Sequence, residues 1–129
     1  MARPHLPPAR VLHHEIVDST NERAFAALAA GTALHGDVHV ARGQTAGRGR
    51  RGARWVSSAG EGLFASLVLL PAPPAPPAPA ITMFAGLALL DALHELGLVR
   101  ARLKWPNDVV VGDAKLGGCL VESRGFQPD

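Results

Sequence analysis

Runs of apolar residues, some alternating with polar ones and some continuous, predict short strands along most of the chain. Two further segments predict helices, one from a capping signal followed by an alanine-rich run and the other from helical spacing of its apolar residues. Gly112 and Asp113 lie where a tight hairpin turn would join the last two strands. This order predicts an α+β fold with a mixed or antiparallel β-sheet and packed helices. The predicted strands are Val11 to Val17, Asp37 to Arg42, Leu63 to Leu70, Ala101 to Trp105, Val109 to Val111 and Lys115 to Glu122.

The first predicted helix begins at a capping signal. Ser19 and Glu22 have the spacing of a capping box, in which a hydroxyl and a carboxylate satisfy the first backbone N–H groups. Ala24 to Ala30 favours the helix, and Gly31 ends it. The second predicted helix runs from Met83 to Leu96. Its ends are set by Thr82 and Gly97, and its apolar positions are Leu87, Leu90 and Leu93.

Prolines separate the two halves of the sequence. Six of the 11 prolines fall between positions 71 and 79, so residues 71–80 are predicted to form an extended surface loop. Residues 1–10 contain three prolines and no periodicity, and are predicted to be a flexible tail. The 129 residues, 47% of them hydrophobic, are enough for one domain over residues 11–129.

Several classes of protein are excluded by simple counts. The apolar stretches are broken before the roughly 20 residues that a membrane span needs, so no membrane association is expected. No secretory signal is visible, and the one cysteine, Cys119, allows no internal disulfide. A cytoplasmic protein is expected. The histidines lack metal-ligand spacing, and Cys119 on an apolar strand is interpreted as a small core residue.

Positive charge is concentrated in one segment. The formal net charge is +2, yet five arginines and no acid lie between Arg42 and Arg54, which leaves eight basic residues against all 11 acidic ones elsewhere. Within it, Gly47 to Gly52 alternates glycines, which let a backbone approach a ligand, with arginines, which suit phosphate and carboxylate. We expect a loop that is disordered when empty and orders around an anion. A merely solvated basic loop is the alternative.

The segment also fits the G-x-G-x-x-G pattern of dinucleotide-binding folds. That pattern requires a helix directly after it, whereas Arg54 and the residues that follow favour an extended chain. A Rossmann-type site is therefore not predicted.

Two lysine-containing segments lie near the predicted hairpin. Lys104-Trp105-Pro106-Asn107-Asp108 combines a phosphate-binding cation with a carboxylate that suits Mg²⁺ or a ribose hydroxyl. The alternative interpretation of this segment is an Asn-Asp turn with a packed tryptophan. In Lys115-Leu116-Gly117-Gly118, a lysine enters an apolar strand and needs a partner for its ammonium group. An edge lysine followed by a bulge is the alternative here.

In this order, the segments resemble those of biotin–protein ligases of the type without an N-terminal DNA-binding domain. The resemblance runs from about Asp18 to Glu122 and rests on Ser19-Thr20-Asn21, on Gln44 to Gly52, on Trp55 and on the two lysine segments. It implies the N-terminal part of a biotin/lipoate-ligase-like catalytic domain. Catalytic domains of the family continue beyond the last segment, which leaves a homodimer or a missing C-terminal half as ways to complete it.

The resemblance also implies roles for particular residues. It implies catalytic roles for Lys115, Arg48 and Lys104. It implies biotin binding by Ser19, Thr20, Asn21, Gln44, Gly47, Arg48, Lys115 and Gly117. It implies nucleotide binding by Gly49, Arg50, Arg51, Gly52, Trp55, Asn107 and Asp108, with Asp108 as a ligand of Mg²⁺.

The implied reaction uses biotin, ATP and Mg²⁺. Biotin is adenylated to biotinyl-5′-AMP and then transferred to a lysine of a biotin carboxyl carrier domain, with no role for DNA. Two alternatives stay open. The arginine–glycine loop alone is consistent with a nucleic-acid-binding module, although aromatic residues for base stacking are few. A lipoate or octanoyl ligase or transferase of related fold is the other alternative.

Overall fold

The computed structural model describes residues 9–124, which form eight strands and two α-helices and confirm the predicted α+β class. The chain divides into two compact units, of which the first ends at Ala72 and the second begins at Pro73, inside the proline-rich segment. The strands are β1 (Val11–Val17), β2 (Val38–Gln44), β3 (Gly47–Arg48), β4 (Arg54–Trp55), β5 (Phe64–Leu67), β6 (Ala101–Lys104), β7 (Asp108–Val111) and β8 (Ala114–Gly118), and the helices are α1 (Thr20–Ala29) and α2 (Ala78–Glu95).

The first unit is built on a mixed three-stranded sheet in the order β1-β2-β5. Strands β1 and β2 are parallel, with Val11 opposite Val38, and β5 is antiparallel to β2, with Ser66 opposite His39. Helix α1 connects the parallel pair and packs against β2 and β5. This βαβ arrangement places the start of α1 beside the ends of the strands that carry the candidate residues.

Polar side chains share the interior of the first unit with apolar ones. The described residues with buried side chains there are Ala24, Ala41, Phe64 and Val68, together with Ser19, Thr20, Asp37, His39 and Ser66. Asp37 accepts hydrogen bonds from Arg10 Nε at 2.8 Å and from the Leu34 amide at 2.8 Å. The Arg10 guanidinium and this amide lower the pKa of Asp37 to about 2.

The predicted tail, residues 1–10, lies outside the described residues except for its last two. Of these, Arg10 is fixed to the first unit by its ion pair with Asp37 and by a hydrogen bond from Nη2 to the Thr32 carbonyl. Its own carbonyl accepts from Val38 at 2.9 Å. Arg10 is therefore part of the folded unit and not of a tail.

The second unit is an antiparallel sheet in the order β6-β7-β8, with α2 against β6 and β7. The hairpin predicted at Gly112 and Asp113 is confirmed, and Gly112 has the positive φ, 58°, that a tight turn requires. Val109 is fully buried at the centre of the sheet. Gly86 is the buried position of α2, where an added Cβ would lie 3.3 Å from a methyl group of Leu103.

Helix α2 begins earlier than predicted. It starts at Ala78, with Pro77 as the N-cap and Pro79 in the first turn, where a proline costs no hydrogen bond. Thr82 donates to the Ala78 carbonyl at 2.9 Å instead of capping the helix. The last three residues of the predicted loop 71–80 are therefore helical. Leu87, one of the apolar positions with helical spacing, is exposed. Within residues 9–124, no helix is long and apolar enough to cross a membrane.

Candidate functional site

The start of α1 is capped largely as the sequence predicts. Ser19 adopts extended backbone geometry, and its hydroxyl accepts from the Glu22 amide at 3.0 Å. The return bond of the capping box is replaced, because Asp18 Oδ1 accepts from the Ser19 amide at 2.7 Å. That hydrogen bond and the guanidinium of Arg23 lower the pKa of Asp18. The Glu22 carboxylate is paired with Arg48.

Thr20 and Asn21 belong to a hydrogen-bond network that joins three elements. Gln44 at the end of β2 accepts through Oε1 from the Thr20 amide at 2.8 Å and from the Thr20 hydroxyl at 3.1 Å. The Thr20 and Ser66 hydroxyls are 2.7 Å apart, and the Ser66 hydroxyl donates to Asn21 Oδ1. The structure therefore brings together Ser19, Thr20, Asn21 and Gln44, which the resemblance assigns to biotin.

Arg48 is anchored to the same helix. Its Nη1 lies 3.0 Å from Oε1 of Glu22, and both side chains are about one-third exposed. Gly47 lies directly beside the network, where an added Cβ would be 2.8 Å from both Gln44 Nε2 and the Trp55 carbonyl. Because that space does not admit a side chain, Gly47 allows the backbone to pass close to Gln44.

The arginine–glycine segment differs from the loop expected from the sequence. It folds into a two-stranded ribbon of β3 and β4, with Gly47 opposite Trp55. Arg51 (φ 56°) and Gly52 (φ 73°) have left-handed backbone geometry and form a tight turn, closed by the Ala53 amide donating to the Arg50 carbonyl. Two consecutive left-handed residues reverse the direction of the chain here. The prediction of a loop did not include this reversal.

The ribbon distributes the predicted nucleotide-binding residues over its turn and its second strand. Gly49, Arg50, Arg51 and Gly52 form the turn, with exposed arginine side chains, and Trp55 is half-buried at the end of β4. The contacts within the ribbon place these residues next to Arg48. Their contact with a nucleotide stays a prediction.

The predicted site residues of the second unit meet on its sheet. Lys104 and Asp108 are opposite each other at the β6–β7 end, and Lys115 Nζ lies 3.1 Å from Asp108 Oδ1. Lys115 thus has the partner that its position in an apolar strand requires. The register shift opposite Val109 and Val110 leaves Leu116 as an extra residue in the edge strand β8, which is the bulge of the alternative interpretation. The strand ends at Gly118 instead of continuing to Glu122.

Asn107 holds the end of this sheet together. Its carbonyl accepts from the Cys119 amide at 2.9 Å, and its Nδ2 donates to the Cys119 carbonyl at 3.1 Å. An added Cβ on Gly118 would lie 2.9 Å from the Asn107 carbonyl, whereas one on Gly117 would meet nothing within 4 Å. Cys119 was predicted as a small core residue on a strand, whereas it follows the end of β8 and is half-buried, and burial raises the pKa of its thiol.

Trp105 is not the packed tryptophan of the alternative interpretation. Its side chain is 78% exposed at one side of a shallow apolar cavity. The cavity is lined by Met83, Leu87, Leu103, Trp105 and Pro106.

Two residues near the start of α1, Ser66 and His39, were not predicted to belong to the site, and a third, Glu22, was predicted only as part of the capping box. Ser66 and Glu22 contact the predicted site directly, and His39 lies opposite Ser66 in the sheet. The His39 ring stacks on His14, with Nδ1 3.0 Å from His14 Nε2, and burial lowers its pKa. The sequence contained a signal for Glu22, because this residue directly follows the predicted biotin-binding residues. The sequence contained no signal for Ser66, because a serine in an apolar strand is common.

The described residues contain no group of three or more histidine, cysteine, aspartate or glutamate side chains that could hold a metal ion. Asp108 is one carboxylate, and its Oδ1 is paired with Lys115. One carboxylate fits Mg²⁺ only when ATP phosphates supply further ligands, which is the usual way that proteins bind this ion.

Comparison with known proteins identifies the class to which this arrangement belongs. A sequence profile of the biotin/lipoate A/B protein ligase family matches residues 14–128. The chain belongs to this family. The match covers both units and includes every segment that suggested the resemblance.

Individual relatives extend the comparison. The chain is 46% identical over 114 residues to the biotin–[acetyl-CoA-carboxylase] ligase of Paracoccus denitrificans, covering 86% of this chain and 46% of the relative. A biotin protein ligase from Aquifex aeolicus, solved in complex with biotin and ATP, superposes with a TM-score of 0.78 at 35% identity. That superposition covers 90% of this chain and 47% of the Aquifex chain. The chain spans about a third to a half of the length of the bacterial relatives it matches, 35% for the Escherichia coli protein and 46% for the Paracoccus protein.

Proposed function

We propose that the chain provides part of the machinery of an ATP-dependent biotin–protein ligase. Its family membership and the names of its relatives support this class of enzyme. The observation that carries the proposal is the network at the start of α1, where residues 24 and 46 positions apart meet beside Arg48. It combines neutral hydroxyl and amide groups with the ion pair of Arg48 and Glu22, which suits a ligand that has a neutral polar ring and a carboxylate.

The first step is adenylation of biotin. A biotin carboxylate oxygen attacks the α-phosphorus of ATP, and the bond to the β-phosphate oxygen breaks to release pyrophosphate. The bound nucleophile is the substrate itself, so the protein has to align the two substrates and stabilise the phosphate charge. Arg48 and Lys115 are the groups proposed to contact the carboxylate and the acyl phosphate. Mg²⁺ bound with ATP, with Asp108 as its protein ligand, would offset the negative charge of the phosphates.

The second step transfers biotin to protein. The amine of a lysine on a biotin carboxyl carrier domain attacks the acyl carbon of biotinyl-5′-AMP, an amide bond forms, and AMP leaves with the bonding electron pair. The lysine loses its proton in this step. Lys104 and Asn107 are proposed to contact the nucleotide, together with the turn of the ribbon and Trp55.

The polar end of biotin is assigned to the first unit. Its ureido group has two N–H donors and one carbonyl acceptor, and it is uncharged. The hydroxyls of Ser19 and Thr20 and the amides of Asn21 and Gln44 offer both donors and acceptors without net charge. A carboxylate would be placed more favourably beside Arg48.

The test is mass spectrometry of the chain after incubation with biotin, ATP and Mg²⁺. The proposal predicts a species with the mass of biotinyl-5′-AMP and release of pyrophosphate, both reduced in Arg48→Ala. The matched control is Arg42→Ala, because Arg42 is 68% exposed and pairs with Glu15 only at 3.4 Å. Absence of the adenylate, together with absence of biotin binding by the folded chain, contradicts the proposal.

The family name includes lipoate ligases, so lipoic acid is the second candidate substrate. It has a carboxylate and an apolar ring but no ureido group. We expect biotin to be adenylated in preference, because the network of hydroxyl and amide groups would be left without partners by lipoic acid. Equal or preferred adenylation of lipoic acid in the same experiment would assign the chain to the other branch of the family.

A further inference from the structure

Two histidines, neither of them a predicted site residue, form a stacked pair between the first two strands. The rings of His14 on β1 and His39 on β2 have an interplanar angle of 9° and centroids 5.2 Å apart, and His39 Nδ1 lies 3.0 Å from His14 Nε2. His39 is 2% exposed, and its Nε2 is buried without a hydrogen-bond partner among the described residues. A buried polar atom of this kind calls for an explanation beyond packing.

The contact between the two rings has room for only one hydrogen atom. A neutral imidazole has one N–H group, and an imidazolium has two. Two neutral rings, or one neutral ring and one imidazolium, can place a single hydrogen between His39 Nδ1 and His14 Nε2, whichever ring carries it. Two imidazolium rings would place two hydrogens between atoms that are 3.0 Å apart, which breaks the hydrogen bond. The pair can therefore accept one additional proton in place, whereas a second proton separates the rings.

The surroundings of His39 oppose a charge on its ring. Burial lowers the pKa of His39, because the charged imidazolium is poorly solvated there. Positive groups on the neighbouring elements add to this effect: His14 on β1, Arg10 before β1 and Arg23 on α1. Asp37 acts in the opposite direction, but its carboxylate already accepts a hydrogen bond from Arg10. The second proton on the pair is therefore strongly disfavoured in the folded unit.

The pair is connected to the elements that carry the candidate site. His39 lies opposite the uncharged Ser66 in the register of β2 and β5, and the Ser66 and Thr20 hydroxyls are in hydrogen-bond contact. Strand β2 ends at Gln44, which accepts from the Thr20 amide. Because His39 is almost fully buried, a charged ring reaches water only if β2 moves relative to β1 or α1. That movement would disturb the contacts of Thr20 with both strands.

The remaining charged groups of the two strands are not part of the pair. Glu15 of β1 and Arg42 of β2 are exposed and form an ion pair with each other at 3.4 Å. His13, on the same strand as His14, is exposed, because side chains alternate between the two faces of a strand.

We propose that the His14–His39 pair is a proton-sensitive switch in the first unit, which keeps the candidate biotin site assembled at neutral pH and opens it when both rings become charged. The part of this inference that concerns biotin rests on the proposed function. In the unfolded chain each ring binds its own proton below about pH 6.5, whereas the folded pair binds only one. The folded state is therefore most stable above this pH and loses stability as the pH falls below it. Asp37 titrates separately, because its contribution is lost only below about pH 4.

The first test is urea denaturation between pH 7 and pH 5, which needs no ligand. Fluorescence of Trp55 in a Trp105→Phe background follows the first unit. One proton fewer in the folded state predicts that the equilibrium constant for unfolding rises about 20-fold over this range. His39→Leu removes the buried ring and should abolish most of this rise. His14→Gln replaces the partner with an amide, whose oxygen can turn towards a charged ring, so the rise should be about fivefold or less. His13→Gln, at the exposed histidine, is the control and should behave like the wild type.

The second test is calorimetric titration with biotin at pH 7 and pH 5. We expect the affinity of the wild type to fall at least about threefold more than that of His39→Leu between these two values, because the fraction of assembled sites decreases. The comparison with the variant removes any effect of pH on biotin itself. If His39→Leu does not fold, His14→Gln takes its place in both tests.

Each result supports the switch or overturns it. An equal rise of the unfolding constant in the wild type and in His39→Leu shows that the buried ring is not the sensitive group. An equal rise in the wild type and in His14→Gln assigns the effect to burial alone and overturns the role of the pair. Equal pH dependence of biotin affinity overturns the connection to the site. A wild-type chain that binds no biotin at pH 7 contradicts the proposed function instead, and the denaturation curves still decide the switch.

Discussion

The two units carry their candidate residues in opposite ways. In the first unit, Thr20 is 3% exposed and its hydrogen bonds connect the helix to two strands. In the second unit, Lys115 is 47% exposed and pairs with Asp108 on the surface of the sheet. The candidate residues at the start of α1 are therefore part of the core of the first unit, whereas Lys115 lies at the surface of the second.

Substitutions in the two units should therefore relate the free energy of unfolding to ligand binding in different ways. Removing a partner from a buried hydrogen-bond network leaves a desolvated group unsatisfied, which costs about 1–3 kcal/mol. Removing one member of an exposed ion pair costs about 0–1 kcal/mol, because water replaces the partner. Substitutions in the first unit should lower stability and binding together, and those in the second should separate the two.

The largest effect is expected from a methyl group at Gly47. In Gly47→Ala the new Cβ would approach the Trp55 carbonyl, which is backbone and can move only with the ribbon. Overpacking of this kind costs about 1–3 kcal/mol, so we expect biotin affinity to fall about 10- to 100-fold by calorimetry. Gly62→Ala is the matched control, since Gly62 is an exposed glycine of the same unit outside the candidate site, and its Cβ would lie 3.3 Å from the end of the Ser57 side chain. A Gly47→Ala chain with wild-type affinity would show that the ribbon is not part of the site.

A smaller effect is expected from removing the Thr20 hydroxyl. Thr20→Val keeps the shape of the side chain but leaves the Ser66 hydroxyl with one partner fewer, and we expect a loss of about 2 kcal/mol in the free energy of unfolding. Urea denaturation measures this loss. Thr20→Ser keeps the hydroxyl and should retain most of the stability, and an equal loss in both variants would assign the effect to packing instead.

The ion pair between Arg10 and Asp37 should make the free energy of unfolding of the first unit depend on pH. The pKa of Asp37 is lowered from 3.8 to about 2, so its contribution is complete above about pH 4 and is lost as the pH falls towards 2. Urea midpoints between pH 7 and pH 2 should fall more steeply for the wild type than for Asp37→Asn. Parallel curves would mean that Asp37 does not titrate as this environment requires.

The smallest effect on stability is expected at Lys115. Lys115→Met removes the charge but keeps the aliphatic stem, and the free energy of unfolding should change by less than about 1 kcal/mol. Adenylate formation should nevertheless drop, because the proposed contact with the acyl phosphate is lost. If stability falls as much as in Thr20→Val, the contrast between the units is incorrect.

Local signals in the sequence predict local structure well. The cap at Ser19 and the hairpin at Gly112 depend on neighbouring residues, and both are confirmed. Thr82 shows the limit of such signals, since a suitable capping residue lies inside a helix that begins after Pro77. The ends of an element depend on competing local choices that a single capping residue does not decide.

Contacts between distant residues could not be predicted from spacing. The hydroxyl of Ser66 reaches Thr20 across 46 residues, and only the antiparallel register of β5 on β2 puts it there. Glu22 has capping-box spacing, yet its carboxylate pairs with Arg48, because Asp18 already accepts from the Ser19 amide. The resemblance indicated which segments carry the site but not which side chains connect them.

Binding of biotin to the isolated chain tests the central assignment most directly. Calorimetric titration of the wild type, Arg48→Ala and Arg42→Ala compares an arginine held beside the network with one that is largely exposed. The assignment predicts saturable binding of one biotin per chain that Arg48→Ala weakens at least about tenfold, as expected for a lost charge-assisted contact, and that Arg42→Ala leaves unchanged. Equal weakening by both variants, or no heat of binding to a folded wild-type chain, would contradict it.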